Sequence, residues 1–170
     1  GTPSQFRAFG KTISEPIPVD EAKALQSPSY YSCNKGANTK GGACESSESH
    51  LDQVFAMVAE NKDELAIVVT DLWYDNALDG TGGPSALQEP LTQILADGRS
   101  VALYGIEAPF KGQIYDIPAG GTAETSVPHA GTHPLYVMVI GSKNDVMELD
   151  RQMERSGARA IREGLQTGAI

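Results

Sequence analysis

Residues Ala66 to Asn76 read AIVVTDLWYDN, and this stretch decides how the rest of the chain is interpreted. An apolar run leads into Thr70 and then into a carboxylate, Asp71. A continuous apolar run of strand length, rich in β-branched residues, is typical of a strand that is buried on both faces of a sheet. The stretch therefore predicts a buried strand, Leu65 to Thr70, that presents an aspartate at its end.

Helical patterns flank this strand on both sides. The helix before it carries apolar residues at i, i+3, i+4 and i+7, namely Leu51, Val54, Phe55 and Val58. Ser49 and Asp52 have the spacing of a capping box at its start. The helix after it is predicted to begin near residues 85–90, to end at Gly98, and to carry Leu87, Leu91, Ile94 and Leu95. A third helix, capped by Asn144 or Ser142, carries Val146, Leu149 and Met153 on one face.

Two more apolar runs predict further strands: VALYGI at 101–106 and LYVMVI at 135–140, separated by a Gly- and Pro-rich excursion over 108–133. Strands joined by helices indicate an α/β fold with a mainly parallel, doubly wound (Rossmann-like) sheet and helices on both faces. LYVMVI is the candidate for an antiparallel edge strand. We expect one domain over residues 1–155, followed by a helical tail over 156–170. Ligands of such sheets bind beyond the carboxyl ends of the strands, where this layout places Thr70 and Asp71.

Composition limits the function classes. The chain has 170 residues, 13 basic and 22 acidic, so its net charge is −9. A nucleic-acid binder needs a basic face, so we expect no nucleic-acid partner. No apolar run reaches the roughly 18 residues of a membrane span, so none is expected.

The two cysteines enclose a polar, glycine-rich loop. Cys33 and Cys44 flank NKGANTKGGA, which has no apolar anchor of its own. A disulfide between them would hold this loop, and would place the protein in an oxidising, extracytoplasmic compartment. Two unpaired thiols and a metal site with His50 remain alternatives.

Asp71 has two interpretations. Hard cations such as Mg²⁺ or Ca²⁺ prefer oxygen ligands, and a carboxylate at a strand end can supply one. The same carboxylate can instead accept hydrogen bonds from amides of the following segment.

The order of a helix, the strand ELAIVVTDLW, a glycine-rich loop, a helix and VALYGI resembles the second half of a von Willebrand factor A-like domain. Many members of that family bind a divalent cation at the carboxyl edge of a doubly wound sheet. The family's third metal motif is a Thr-Asp pair, which Thr70 and Asp71 match, and Thr39 is the candidate for its second. The first motif, Asp-x-Ser-x-Ser, has no match upstream of QFRAFG, so the implied site is incomplete.

The resemblance implies a protein–protein interaction module, whose partner is another protein or another segment of a larger chain. Its expected cation is Mg²⁺ or Ca²⁺, held by Asp71, Thr70 and Thr39. The neighbouring residues Trp73, Tyr74 and Asp75 are the expected partner-binding residues. Exposed aromatic side chains on this loop would anchor a protein partner, whereas buried ones would fill the gap between the loop and the sheet.

Two alternatives come from other classes. A metal-dependent hydrolase of phosphate or sulfate esters would use Asp71, Asp75, His129 and His133, in an arrangement that faintly resembles alkaline-phosphatase-like enzymes. A structural subunit would use Asp71 only as a loop cap.

Overall fold

The structure is a computed structural model, and it describes residues 4–10, 12–26, 49–72, 86–114 and 127–155. The chain forms two compact units. The first comprises Gly1–Glu64 with Trp73–Arg99, and the second comprises Leu65–Leu72 with Ser100–Ile170. The predicted tail over 156–170 lies outside the described residues, as do Cys33 and Cys44.

The first unit is built on two helices, α1 (Leu51–Glu60) and α2 (Gln88–Ala96), which pack on each other. A short 3-10 helix, Ala22–Gln26, lies earlier in the chain. The predicted apolar face of α1 is confirmed, because its four residues are all buried. The predicted capping box is wrong: His50 is the N-cap, and no side chain caps the helix.

The second unit is a three-stranded sheet with one helix. Its strands are β1 (Ala66–Thr70), β2 (Ser100–Ile114) and β3 (Val127–Gly141), and its helix is α3 (Lys143–Arg155). The strand order is β1-β3-β2. Both pairings are antiparallel, with Val69 opposite Val137 in one and Tyr104 opposite Val137 in the other.

The parallel, doubly wound sheet expected from the sequence is therefore wrong. β2 and β3 continue into the segment predicted as a Gly- and Pro-rich excursion, and pair from Ser100 with Gly141 to Ile114 with Val127. β2 and β3 are consecutive strands that pair antiparallel, and such a pair needs no crossover helix. β1 and β2, which precede and follow α2 in the chain, run in the same direction but are not neighbours, because β3 lies between them and pairs antiparallel with both. LYVMVI is antiparallel, but it belongs to the central strand and not to an edge.

Helix α3 covers part of one face of this sheet. The predicted face of α3 is confirmed: Val146 is buried with Tyr104 and Val139, and Leu149 and Met153 pack against them. Ser142 caps the helix as predicted, since the Asp145 N–H donates to Ser142 Oγ at 3.2 Å. On the exposed side of α3, a side-chain hydrogen bond from Gln152 lowers the pKa of Glu148, and a hydrogen bond from Arg151 and the positive charges of Arg155 and Arg151 lower it further.

β1 is buried on one face only, which corrects the expectation of a strand buried on both. Val68 and Thr70 are buried, whereas Ile67 and Val69 are about half exposed. Side chains alternate between the two faces of a strand. The physical reason is position: β1 lies at the edge of the sheet, while α3 packs on β2 and β3.

This alternation predicts opposite outcomes for two adjacent valines. Val68→Thr places a hydroxyl in a buried position and should lower the free energy of unfolding by about 1–3 kcal/mol. Val69→Thr places it in solvent and should change that free energy by no more than about 0.5 kcal/mol. Urea denaturation followed by circular dichroism measures both. Equal losses would contradict the described orientation of β1.

Candidate functional site

The chain turns sharply where β1 ends. The Thr70 hydroxyl accepts a hydrogen bond from the Leu72 N–H at 3.0 Å. Leu72 has φ 61°, in the left-handed region that residues other than glycine rarely adopt. The threonine of the Thr-Asp pair thus stabilises this turn from the buried side of the strand.

Asp71 contacts the central strand. Its Oδ2 lies 3.9 Å from Nε2 of His133, and the Asp71 side chain is 45% exposed. The Phe110 ring centroid lies 5.3 Å from that of His133 and 6.1 Å from that of His129. His129 Nε2 is within 3.1 Å of the Thr132 carbonyl oxygen. The structure therefore brings together Asp71 and His133, with an aromatic ring between the two histidines.

Two members of the predicted cation site, Thr70 and Asp71, lie among the described residues, and the site itself stays a prediction. Thr70 is buried on one face of β1, whereas Asp71 reaches His133, which lies on the face that α3 covers elsewhere. Among the described residues, no three His, Cys, Asp or Glu side chains come together in a group able to hold a metal ion. Thr39 lies outside the described part of the chain.

An exposed apolar row runs along β1 towards Asp71. Its members are Leu65, Ile67 and Val69, which are 41%, 52% and 50% exposed, and we call them the β1 stripe. They alternate along the chain, so all three lie on the α3 face of the sheet. Leu65 lies against Gly141, where an added Cβ would come 2.7 Å from Leu65 Cδ1. A glycine at this position leaves room for the first residue of the stripe.

The two edges of the sheet differ in composition. β2 contains Glu107, Pro109 and Lys111, which are residue types that natural edge strands use against pairing with other chains. β1 reads AIVVT and contains none of them. Of the two described edges, β1 is the one whose side chains do not oppose the addition of a strand.

Sequence reasoning identified Asp71 and His133 but did not identify the stripe. Its apolar residues were interpreted as core, because a run that is apolar on both faces gives no period-two signal. The expected binding residues Trp73, Tyr74 and Asp75 lie outside the described residues. Asp75 of the hydrolase alternative lies there too, so that alternative stays a prediction.

Within the described residues, no helix combines the length and apolar character needed to cross a membrane. Comparison of the chain with protein families, with curated proteins and with solved structures gave no match. The resemblance to von Willebrand factor A-like domains accordingly stays a prediction.

Proposed function

We propose that this chain is a protein-interaction module that binds a partner through the β1 stripe and the open edge of β1. One observation carries the proposal: the apolar side chains of Ile67 and Val69 in an edge strand, and of Leu65 directly before it, face solvent. Exposed apolar residues that occur singly are ordinary, but a contiguous row with a polar border is typical of interaction surfaces. Asp71 and His133 supply that border at one end.

The expected affinity is modest. Fully burying a valine, leucine or isoleucine side chain contributes about 1.5–3 kcal/mol, and these three are already about half buried. Covering the stripe would therefore contribute roughly 1 kcal/mol per residue, against an association cost of at least about 4 kcal/mol. Backbone hydrogen bonds along β1 or further contacts must add to the stripe, so a transient complex is the expected kind.

Site-specific photo-crosslinking in the cells that make the protein tests this proposal. A benzophenone side chain at Ile67 should give a discrete adduct with another protein. The matched control is the same side chain at Leu95, an apolar residue of α2 that is 59% exposed. We expect the yield of the Ile67 adduct to fall about fivefold when Val69→Thr is added, since that change leaves the fold intact but removes about 1 kcal/mol of apolar contact.

Two results would argue against an interaction surface on β1. One is the absence of any adduct at Ile67. The other is the same set of adducts at Ile67 and Leu95, which would show only non-specific association of exposed apolar residues. An adduct whose yield is unchanged in Val69→Thr would place the partner elsewhere on the surface.

A further inference from the structure

The geometry points to the kind of partner that the β1 edge accepts: an extended segment of another protein, added as an antiparallel strand beside β1. Every second side chain of this segment lies on the α3 face of the sheet. These side chains are apolar where they lie beside the stripe and basic where one lies beside Asp71. This inference rests on the proposed function and deepens it by naming the partner's chemistry.

The backbone of β1 supplies the first argument. β1 pairs with β3 on one side, and no other strand within the described residues pairs with its second side. In an antiparallel strand, the N–H and C=O of one residue point to one side and those of the next point to the other. The five residues of β1 therefore direct those of two or three residues to the open edge. Such a row of donors and acceptors is a template for an added strand.

The side chains supply the second argument. Residues directly opposite each other in an antiparallel pair lie on the same face of the sheet. A segment beside β1 would thus place every second side chain next to Leu65, Ile67 and Val69. Apolar side chains there would remove the exposed stripe from water, whereas polar ones would leave it half exposed.

Charge supplies the third argument, and it separates a foreign segment from a second copy of this chain. Asp71 follows the last residue of β1, and its carboxylate lies 3.9 Å from His133, which is on the face of the stripe. A residue of the segment that extends past Thr70 on this face would therefore come near that carboxylate. A Lys or Arg there would face a half-exposed carboxylate. A second copy brings another net charge of −9, and its own β1 has no basic residue to place there.

Read from its amino end, the expected segment is basic-x-apolar-x-apolar-x-apolar. The probe is a pool of labelled peptides, Lys-x-Φ-x-Φ-x-Φ, with Thr or Ser at x and Val, Ile or Leu at Φ. A matched pool has Glu in place of Lys. Two further pools carry N-methyl groups on alternate amides: one pool is methylated at the odd-numbered residues of the peptide and the other at the even-numbered residues. Fluorescence anisotropy measures binding to the 170-residue chain, and sedimentation velocity measures its self-association.

We expect the Lys pool to bind, and the Ile67→Thr/Val69→Thr double variant to bind it at least about tenfold more weakly. The Leu95→Thr control should bind it as the wild type does. The Glu pool should bind about two- to fivefold more weakly, because an exposed ion pair contributes up to about that factor. Asp71→Lys should reverse this preference. One N-methylated pool should bind and the other should not, since only every second amide of an added strand donates a hydrogen bond to β1.

Several outcomes would overturn the inference. Equal binding of both N-methylated pools would exclude strand addition, and an unchanged preference in Asp71→Lys would exclude a basic residue beside Asp71. A dimer that the double variant abolishes would make a second copy the occupant. Failure of every pool, together with a Val69-dependent crosslink at Ile67, would reject the extended segment and leave the proposed function standing. Failure of both experiments would reject both.

Discussion

Arg99→Ala should lower the free energy of unfolding by about 2–4 kcal/mol, because it removes a buried cation that closes the end of α1. The Arg99 guanidinium donates from Nη1 to the Val58 carbonyl oxygen at 2.6 Å, and from Nη2 to that of Ala59 at 3.2 Å. These carbonyls belong to the last turn of α1, where a helix lacks internal donors. Nη2 also lies 3.6 Å from Asp97 Oδ2.

Lys62 is the matched control, because it also pairs with Asp97, at 3.0 Å. Its side chain is 53% exposed, against 5% for Arg99. Lys62→Ala should therefore cost less than about 1 kcal/mol, as exposed ion pairs do. The loss of unfolding free energy for Arg99→Lys should lie between those two losses, since lysine keeps the charge but lacks the planar guanidinium that donates to two carbonyls. Urea denaturation followed at 222 nm measures all three, and equal losses in Arg99→Ala and Lys62→Ala would contradict the capping role.

Phe55→Ala should cost about 3–5 kcal/mol, the range for deleting a buried aromatic side chain. Phe55 is 1% exposed and lies on the buried face of α1. The cost combines lost burial with the cavity that remains, because neighbouring side chains relax only in part.

A second phenylalanine of the same unit gives the comparison. Phe6 is 38% exposed and is held by a single bridge to Ile17, so Phe6→Ala should cost about 1 kcal/mol. The same denaturation experiment applies. A loss for Phe55→Ala no larger than that for Phe6→Ala would show that α1 does not bury this face.

The proposals are independent of these two stability effects. Arg99 and Phe55 belong to the first unit, whereas the β1 stripe belongs to the second. Variants of the stripe replace side chains that already face solvent, so they should change binding while leaving the free energy of unfolding nearly unchanged. A reduction in binding by Ile67→Thr and Val69→Thr is then interpretable as a surface effect.

Sequence reasoning located the helices better than it arranged the strands. The apolar spacing in α1 and α3 was sufficient, because a helical period of 3.6 marks the buried side within one segment. The predicted face of α3 and its Ser142 cap are both present. Strand pairing is a relation between distant segments, and nothing within VALYGI or LYVMVI states whether they run parallel or antiparallel.

The candidate site was predicted only in part for the same reason. Asp71 was correctly placed at the end of a strand, and His133 was named among residues of the hydrolase alternative. Their proximity at 3.9 Å depends on β1 pairing beside β3, which the sequence did not reveal. The stripe was not predicted because the same apolar residue types occur at the edge of a sheet and in a core.

By itself, the sequence determined the local elements: where α1, α2 and α3 lie, which side of α1 and of α3 is apolar, and that β1 ends in Thr70 and Asp71. These follow from spacing and side-chain chemistry within a few turns of chain. Only the tertiary structure decided that the sheet is antiparallel and that β1 is its edge. It also decided that Ile67 and Val69 face solvent while Val68 does not. Exposure is set by which segments cover a strand, and that coverage comes from residues far away in the chain.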